Sequence, residues 1–214
     1  MKLKTALLIL ILISSQALAL RRGGEPSNQF WFLSLDMTEV GGEFDGSLFL
    51  YSASAIYDVP EIGLGFGLGA GYGIVQPSGW GGDFFMKIGG QSAGDYGSGW
   101  FCTGGNVIFT PQAFRFGENS RFYLKLGLNW TSIWIDGSEF YLYGGDPADA
   151  HYNGIGLDFL AGIEMFRGES RKPHSLRIEG GFRKINYGSV NTIEIEDGLD
   201  GASIIAGLSY NFWL

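Results

Sequence analysis

Residues 63–75 read GLGFGLGAGYGIV, and their spacing decides the fold. Glycine holds every odd position from Gly63 to Gly73, while the even positions are Leu64, Phe66, Leu68, Ala70, Tyr72 and Ile74. Successive side chains of a β-strand point to opposite faces. The stretch is therefore a strand, apolar on one side and without side chains on the other. The G-x-G-x-x-A match inside it (Gly65, Gly67, Ala70) is a poor nucleotide-binding turn, because that fingerprint has to open a helix and here the two-residue period runs on unbroken.

The same period recurs along the chain. Residues 121–136 put Phe122, Leu124, Leu126, Leu128, Trp130 and Trp134 on one face and Tyr123, Lys125, Gly127, Asn129 and Thr131 on the other. Residues 153–166, 176–183 and 201–214 divide in the same way. Weaker alternation marks 30–38, 47–57 and 106–116, where Pro111 weakens the last without forbidding it. Eight strands result. Tight turns fall at 58–61 and 117–120, and a moderate one at 167–174. Longer loops occupy 76–103, 137–152 and 188–200, with a shorter one at 39–46. An even strand number, with short turns at one end and long loops at the other, predicts an all-β, eight-stranded antiparallel transmembrane up-and-down β-barrel with both termini in the periplasm. A soluble barrel or sandwich also alternates, but it turns its greasy face inward and its polar face to water. Here the non-greasy face is small, glycine-rich and sparsely charged, which suits a cramped interior. Trp31, Tyr57, Tyr72, Trp130, Trp134, Tyr210 and Phe212 lie near strand ends, where interfacial girdles are expected.

Composition agrees. With 36 Gly among its 214 residues the chain could be disordered, but 17 Phe, 10 Tyr and 6 Trp in a periodic pattern argue that it folds. Lys2 and Lys4, the apolar run 6–13 and Ala17-Leu18-Ala19 form a secretory signal peptide over residues 1–19. The run is shorter than the ~20 residues a membrane-spanning helix needs. The barrel domain then covers 20–214, exported and freed of its leader, and holds 12 Lys and Arg against 22 Asp and Glu. That acidity argues against a nucleic-acid partner, which would need a basic face. Cys102 stands alone, so neither an internal disulfide nor a thiolate metal site is expected. The acidic cluster Glu194, Glu196, Asp197 and Asp200 lacks calcium-loop spacing and reads as a solvated loop, with cations shared with lipopolysaccharide as a further option. No cofactor or metal is expected.

Three segments carry a family resemblance: GIGLDFLAGIE at 154–164, LRIEGGFR at 176–183 and the closing GASIIAGLSYNFWL at 201–214. With them the chain resembles the small eight-stranded outer-membrane superfamily that contains the OmpA transmembrane domain, OmpX and the opacity proteins. The resemblance implies the bacterial outer membrane, a monomer among lipid and lipopolysaccharide, and delivery by the barrel-assembly machinery through the C-terminal strand. The family usually ends in an aromatic residue. Tyr210 and Phe212 fit that pattern, and the terminal Leu214 departs from it.

An eight-stranded barrel has only enough room for side chains to fill it. Counted round the barrel, the glycine strand is third and 176–183 is seventh, so the two are expected to face each other. The space left by Gly63, Gly65, Gly67, Gly69, Gly71 and Gly73 would admit Arg177, Glu179 and Arg183. With Lys125, Asp158 and Glu164, of the same inward parity, these are expected to form a lumen network of paired charges, since an unpaired charge there is costly. A filled lumen implies a structural or surface-interaction role rather than catalysis. The rival readings are a narrow porin-like channel and a lipid A deacylase-like enzyme. For the enzyme, AHYNGIG supplies His151, but Asn153 stands where that family has serine and Glu164 has the wrong parity. Ser132 on the neighbouring strand leaves a rearranged pair open. The 76–103 loop offers Trp80, Phe84, Phe85, Tyr96 and Trp100 either to an extracellular partner or as a cap on the barrel mouth.

Overall fold

The computed structural model describes residues 28–46, 48–51, 55–94, 96–111, 119–136, 140–142, 149–167, 174–191 and 193–214. The expected leader at 1–19, residues 117–118 of the expected turn at 117–120, and residues 168–173 of the one expected at 167–174 lie outside them. Eleven strands are present among the described residues: β1 (Gln29–Gly42), β2 (Leu48–Tyr51), β3 (Ala55–Val59), β4 (Ile62–Val75), β5 (Trp80–Ala93), β6 (Tyr96–Phe109), β7 (Ser120–Ile135), β8 (Phe140–Leu142), β9 (Ala150–Arg167), β10 (His174–Val190) and β11 (Ile193–Trp213). Eight close into an antiparallel barrel in the order β1-β11-β10-β9-β7-β6-β5-β4. Closure comes from β1, which pairs with β11 from Phe30↔Trp213 to Gly42↔Gly201 and with β4 from Gln29↔Ile74 to Glu39↔Leu64. Every barrel strand thus has a partner on both sides, and the sheet has no open edge.

The strand membership differs from the sequence reading in two places. Residues 47–57 are not a barrel strand. They contribute β2 and β3, which pair with β8 in a separate three-stranded sheet outside the barrel. Residues 76–103 are not a loop. They hold a hairpin of two barrel strands, β5 and β6, in continuous register from Trp80↔Phe109 to Ala93↔Tyr96. Of the strand expected at 106–116, residues 106–109 are the tail of β6, which ends at Phe109, before Pro111, and 112–116 lie outside the described residues. The stretch 188–200 is likewise no long loop, because β10 and β11 run on to a short turn at Asn191, whose φ is 53°.

These changes reverse the direction of the glycine strand and make it the second barrel strand, not the third. Its connection to β5 is the tight turn 76–79. There the Gly79 N–H donates to the Gln76 carbonyl at 2.9 Å, and a φ of 89° requires glycine. That turn lies at the end of the barrel that carries the chain termini. The long connections 43–61 and 136–149 lie at the opposite, loop-bearing end.

Candidate functional site: the barrel lumen

Each strand places its odd–even pattern against the wall. Leu33, Leu35, Phe66, Leu68, Ile88, Leu126, Leu128, Ile155, Leu157, Phe182, Ile204 and Leu208 point outward, between 42% and 68% exposed. A belt of aromatics edges this surface at the terminus-bearing end. Trp31 lies 5.0 Å from Tyr72, Trp80 lies 4.6 Å from Phe109, and Tyr210 lies 4.9 Å from Phe212. Phe101 and Trp130 pair nearer the loop-bearing end. The side chain of Tyr57 is outside the described set.

The bare face of β4 is covered from the two sides. A Cβ on Gly71 would fall on the ring of Phe32, on Gly73 the ring of Phe30, and on Gly67 the ring of Trp100. Gly69 makes way for Ser34 and Lys87, and Gly63 for Ser92. The expectation that Arg177, Glu179 and Arg183 extend into this space is therefore corrected. With the hairpin in the barrel, β10 lies three strands from β4, and residues of β1, β5 and β6 occupy the gap first.

The charged residues meet elsewhere in the lumen. Arg183 lies directly across from Asp158 on β9, and Arg177 across from Glu164. The Arg183 guanidinium donates to both Asp158 oxygens, at 2.6 and 2.9 Å, and Asn129 donates to the same carboxylate at 2.8 Å. Glu164 receives Arg177 at 3.3 Å, Arg121 at 2.7 Å and Asn211 at 3.1 Å, with Ser175 as a further donor. Lys125 bridges Glu179 at 2.8 Å and Asp83 at 3.2 Å, and the Tyr123 hydroxyl donates to Glu179 at 2.8 Å. Lys87 pairs with Asp36 at 2.7 Å. Arg177 and Glu179, two apart on one strand, thus take different partners. The Arg177 guanidinium is also sandwiched between Phe30 at 4.4 Å and Tyr123 at 5.1 Å.

Sequence parity had left out Asp36, Asp83, Lys87 and Arg121. Asp36 shares the inward face of β1 with Ser34 and Thr38, a signal that was available. Asp83 and Lys87 were hidden by reading β5 as loop. Among the described residues, five carboxylates (Asp36, Asp83, Asp158, Glu164, Glu179) meet five cations (Lys87, Lys125, Arg121, Arg177, Arg183) in these pairs. Among the described residues these lumen pairs balance in charge. Glu39, Glu43, Glu61, Asp136, Asp149 and Asp200 are exposed toward the loop-bearing end.

The polarity of the wall inverts at one height. Toward the loop-bearing end the outward series changes from Met37 to Glu39, Trp130 to Ser132, Ile155 to Asn153 and Phe182 to Lys184. The inward series changes the opposite way at the same level, from Thr38 to Val40, Thr131 to Ile133 and Arg183 to Ile185. Above it the interior is an apolar core of Val40, Phe44, Ile135, Tyr152, Tyr187 and Leu199. Phe44, carried by the segment after β1, meets Tyr152 and Tyr187 edge-on at 5.3 and 5.1 Å. The barrel is thus oily outside and charged inside over one part of its length, and wet outside and oily inside over the rest.

The loop aromatics expected to meet a partner are redistributed. Phe85 and Trp100 are buried in the lumen, at 2% and 5% exposure. Phe84 faces outward within the apolar belt, and Trp80 belongs to the girdle at the far end. Tyr96 opens β6, and its side chain is not described. Alternation of β5 and β6 across the wall is the reason. His151 and Asn153 stand on the outer face near the loop-bearing end of β9, and Ser132 lies opposite Asn153 on β7. Glu164 is 13 residues from His151 along the same strand, inside the lumen and ion-paired, so it does not join them.

The molecule has the architecture of the small eight-stranded antiparallel barrels. No protein-family model matches the sequence, and no curated protein does. Solved structures similar to it include Neisserial surface protein A, with 15% identity over 87% of this chain and 98% of that one at a TM-score of 0.47. Ail, the attachment invasion locus protein of Yersinia pestis, has 14% identity over 88% and 100% of the two chains at 0.43. The N-terminal β-barrel domain of Pseudomonas aeruginosa OprF has 12% identity over 88% and 98% at 0.40. Likenesses of this size describe a shared barrel form and nothing further.

Proposed function

We propose that this is a bacterial outer-membrane barrel with a structural or surface-interaction role and a sealed lumen, not a solute pore. The observation that carries the reading is the double inversion of the wall. Exposed Leu, Ile and Phe side chains on the outside have no favourable environment in water, and a closed barrel satisfies all its backbone groups in lipid. The interior behind that belt is filled by ion pairs and rings, and an apolar core stops the loop-bearing mouth. In this reading the loop-bearing end faces outside the cell, with lipopolysaccharide around it and the β2-β3-β8 sheet offered to extracellular partners. The exposed Tyr210, Phe212 and Leu214 at the other end are where the assembly machinery would grip β11.

Reconstitution tests this. The leaderless chain refolds only with detergent or lipid and then gives no steady single-channel steps in a planar bilayer. A soluble refolded monomer removes the membrane assignment, and reproducible steps replace the sealed barrel with the narrow channel. Deacylation of lipid A, lost in His151→Ala, would replace both with the enzyme.

A further inference from the structure

At the height where the wall inverts, the lumen holds a cavity of about 20 Å³ lined by Thr38, Gln91, Trp100, Thr131, Arg183 and Tyr187 among others. The Trp100 indole is 5% exposed and the Tyr187 ring 0%, yet neither the indole N–H nor the phenol hydroxyl has a hydrogen-bond partner in the protein. The Gln91 side chain spends its amide N–H on Ser98 at 3.3 Å, and its carbonyl oxygen is unmatched. Leaving a buried donor or acceptor unsatisfied is unfavourable. Here a donor (Trp100), an acceptor (Gln91) and a group able to do either (Tyr187) border one space.

We propose that this space is a binding site for a single internal water, held between the charged lumen and the apolar core. The chemistry selects the ligand. A cavity needs roughly 10–15 Å³ of this kind of volume to hold a water, together with two to four polar partners, and both conditions are met. No organic solute fits, and a cation would meet the Arg183 guanidinium. An anion would meet the unmatched Gln91 carbonyl. Water alone donates and accepts in the required directions. The position also follows from the inversion. Below this level charged and amide side chains pair with one another, and above it the interior is mostly apolar, so the boundary layer is where polar groups run short of partners. The inference stands apart from the membrane reading, because any closed barrel with this interior would hold the same site.

The test is water–protein cross-relaxation by NMR on the ¹⁵N-labelled, refolded chain in detergent micelles, with the Trp100 indole resonance assigned by its loss in Trp100→Phe. The Trp100 Hε1 proton is expected to show a cross-peak at the water frequency, of opposite sign in laboratory-frame and rotating-frame spectra. The peak is expected to persist in Tyr187→Phe, which removes the hydroxyl that might relay magnetisation. Absence of the peak in the unsubstituted protein overturns the proposal, since Trp100 would then bond a protein group directly. Disappearance in Tyr187→Phe overturns it as well, by assigning the signal to the hydroxyl.

Discussion

Replacing Asp158 by Ala removes the carboxylate that holds Arg183, and the structure fixes how much that should cost. Arg183 is 7% exposed and donates to both oxygens of Asp158, at 2.6 and 2.9 Å. Breaking a buried pair by deleting one partner costs about 3–5 kcal/mol, because the remaining charge stays desolvated. The Asn129 amide, which donates to Asp158 at 2.8 Å, loses its acceptor and adds about 1 kcal/mol. The total is about 5 kcal/mol. With a urea slope of ~2 kcal/mol per molar, the unfolding midpoint falls by about 2.5 M. The assay is urea unfolding of the barrel in lipid vesicles, followed by tryptophan fluorescence and by the mobility of unheated samples on gels. The double variant Asp158→Ala/Arg183→Met removes both charges and should return to within about 2 kcal/mol of the parent. A single variant that loses under ~1 kcal/mol by the same measurement would show that this pair is not held out of water. A double variant as unstable as the sum of its singles would refute the pairing itself.

Other substitutions probe the remaining features. Gly67→Ala drives a methyl into the Trp100 ring and should cost about 1–3 kcal/mol, whereas Gly90→Ala, whose Cβ would sit 3.5 Å from the nearest atom, should be neutral in the same unfolding assay. Leu126→Arg, in the exposed apolar belt, should cost about 2–4 kcal/mol, and Ser132→Arg, above the inversion level, under ~1; equal costs would misplace the boundary. Cys102 is fully buried in the lumen and should resist a water-soluble maleimide until the barrel unfolds, as mass spectrometry would record; rapid labelling of the folded protein would indicate a hydrated channel. Protease added to intact cells should cut within 43–61 and 136–149 and spare 80–109, because that segment is barrel wall.

The period-two signal located β7, β9, β10 and β11 because their outward residues form unbroken apolar rows. It failed over 80–109, where Gly81-Gly82, Gly89-Gly90 and Gly104-Gly105 blank both faces at once and interrupt the rhythm that marks a strand. It over-read 47–57, since alternation reports that a segment pairs, not with which strand. Misplacing those two segments moved β4 round the barrel and paired its bare face with the wrong neighbours. The lumen charges on β7, β9 and β10 were legible by parity, and their specific partners were not, because partner choice depends on cross-strand register. The oily interior at the loop-bearing end was written in the sequence as a phase change, Arg183-Lys184 followed by Ile185-Asn186-Tyr187. A single rule for which face is greasy conceals such a change.

The inverted upper section has a mechanical consequence. A barrel that ended at the lipid surface would leave its connecting segments tethered by frayed strand ends. Here β9, β10 and β11 continue past the last exposed apolar side chains of the outer belt, around a packed core. The described segments that follow, β2, β3 and β8 among them, are therefore carried beyond a stiff, packed pedestal. Under the proposed outer-membrane reading, a molecule arriving from outside would meet that raised platform before it met the bilayer.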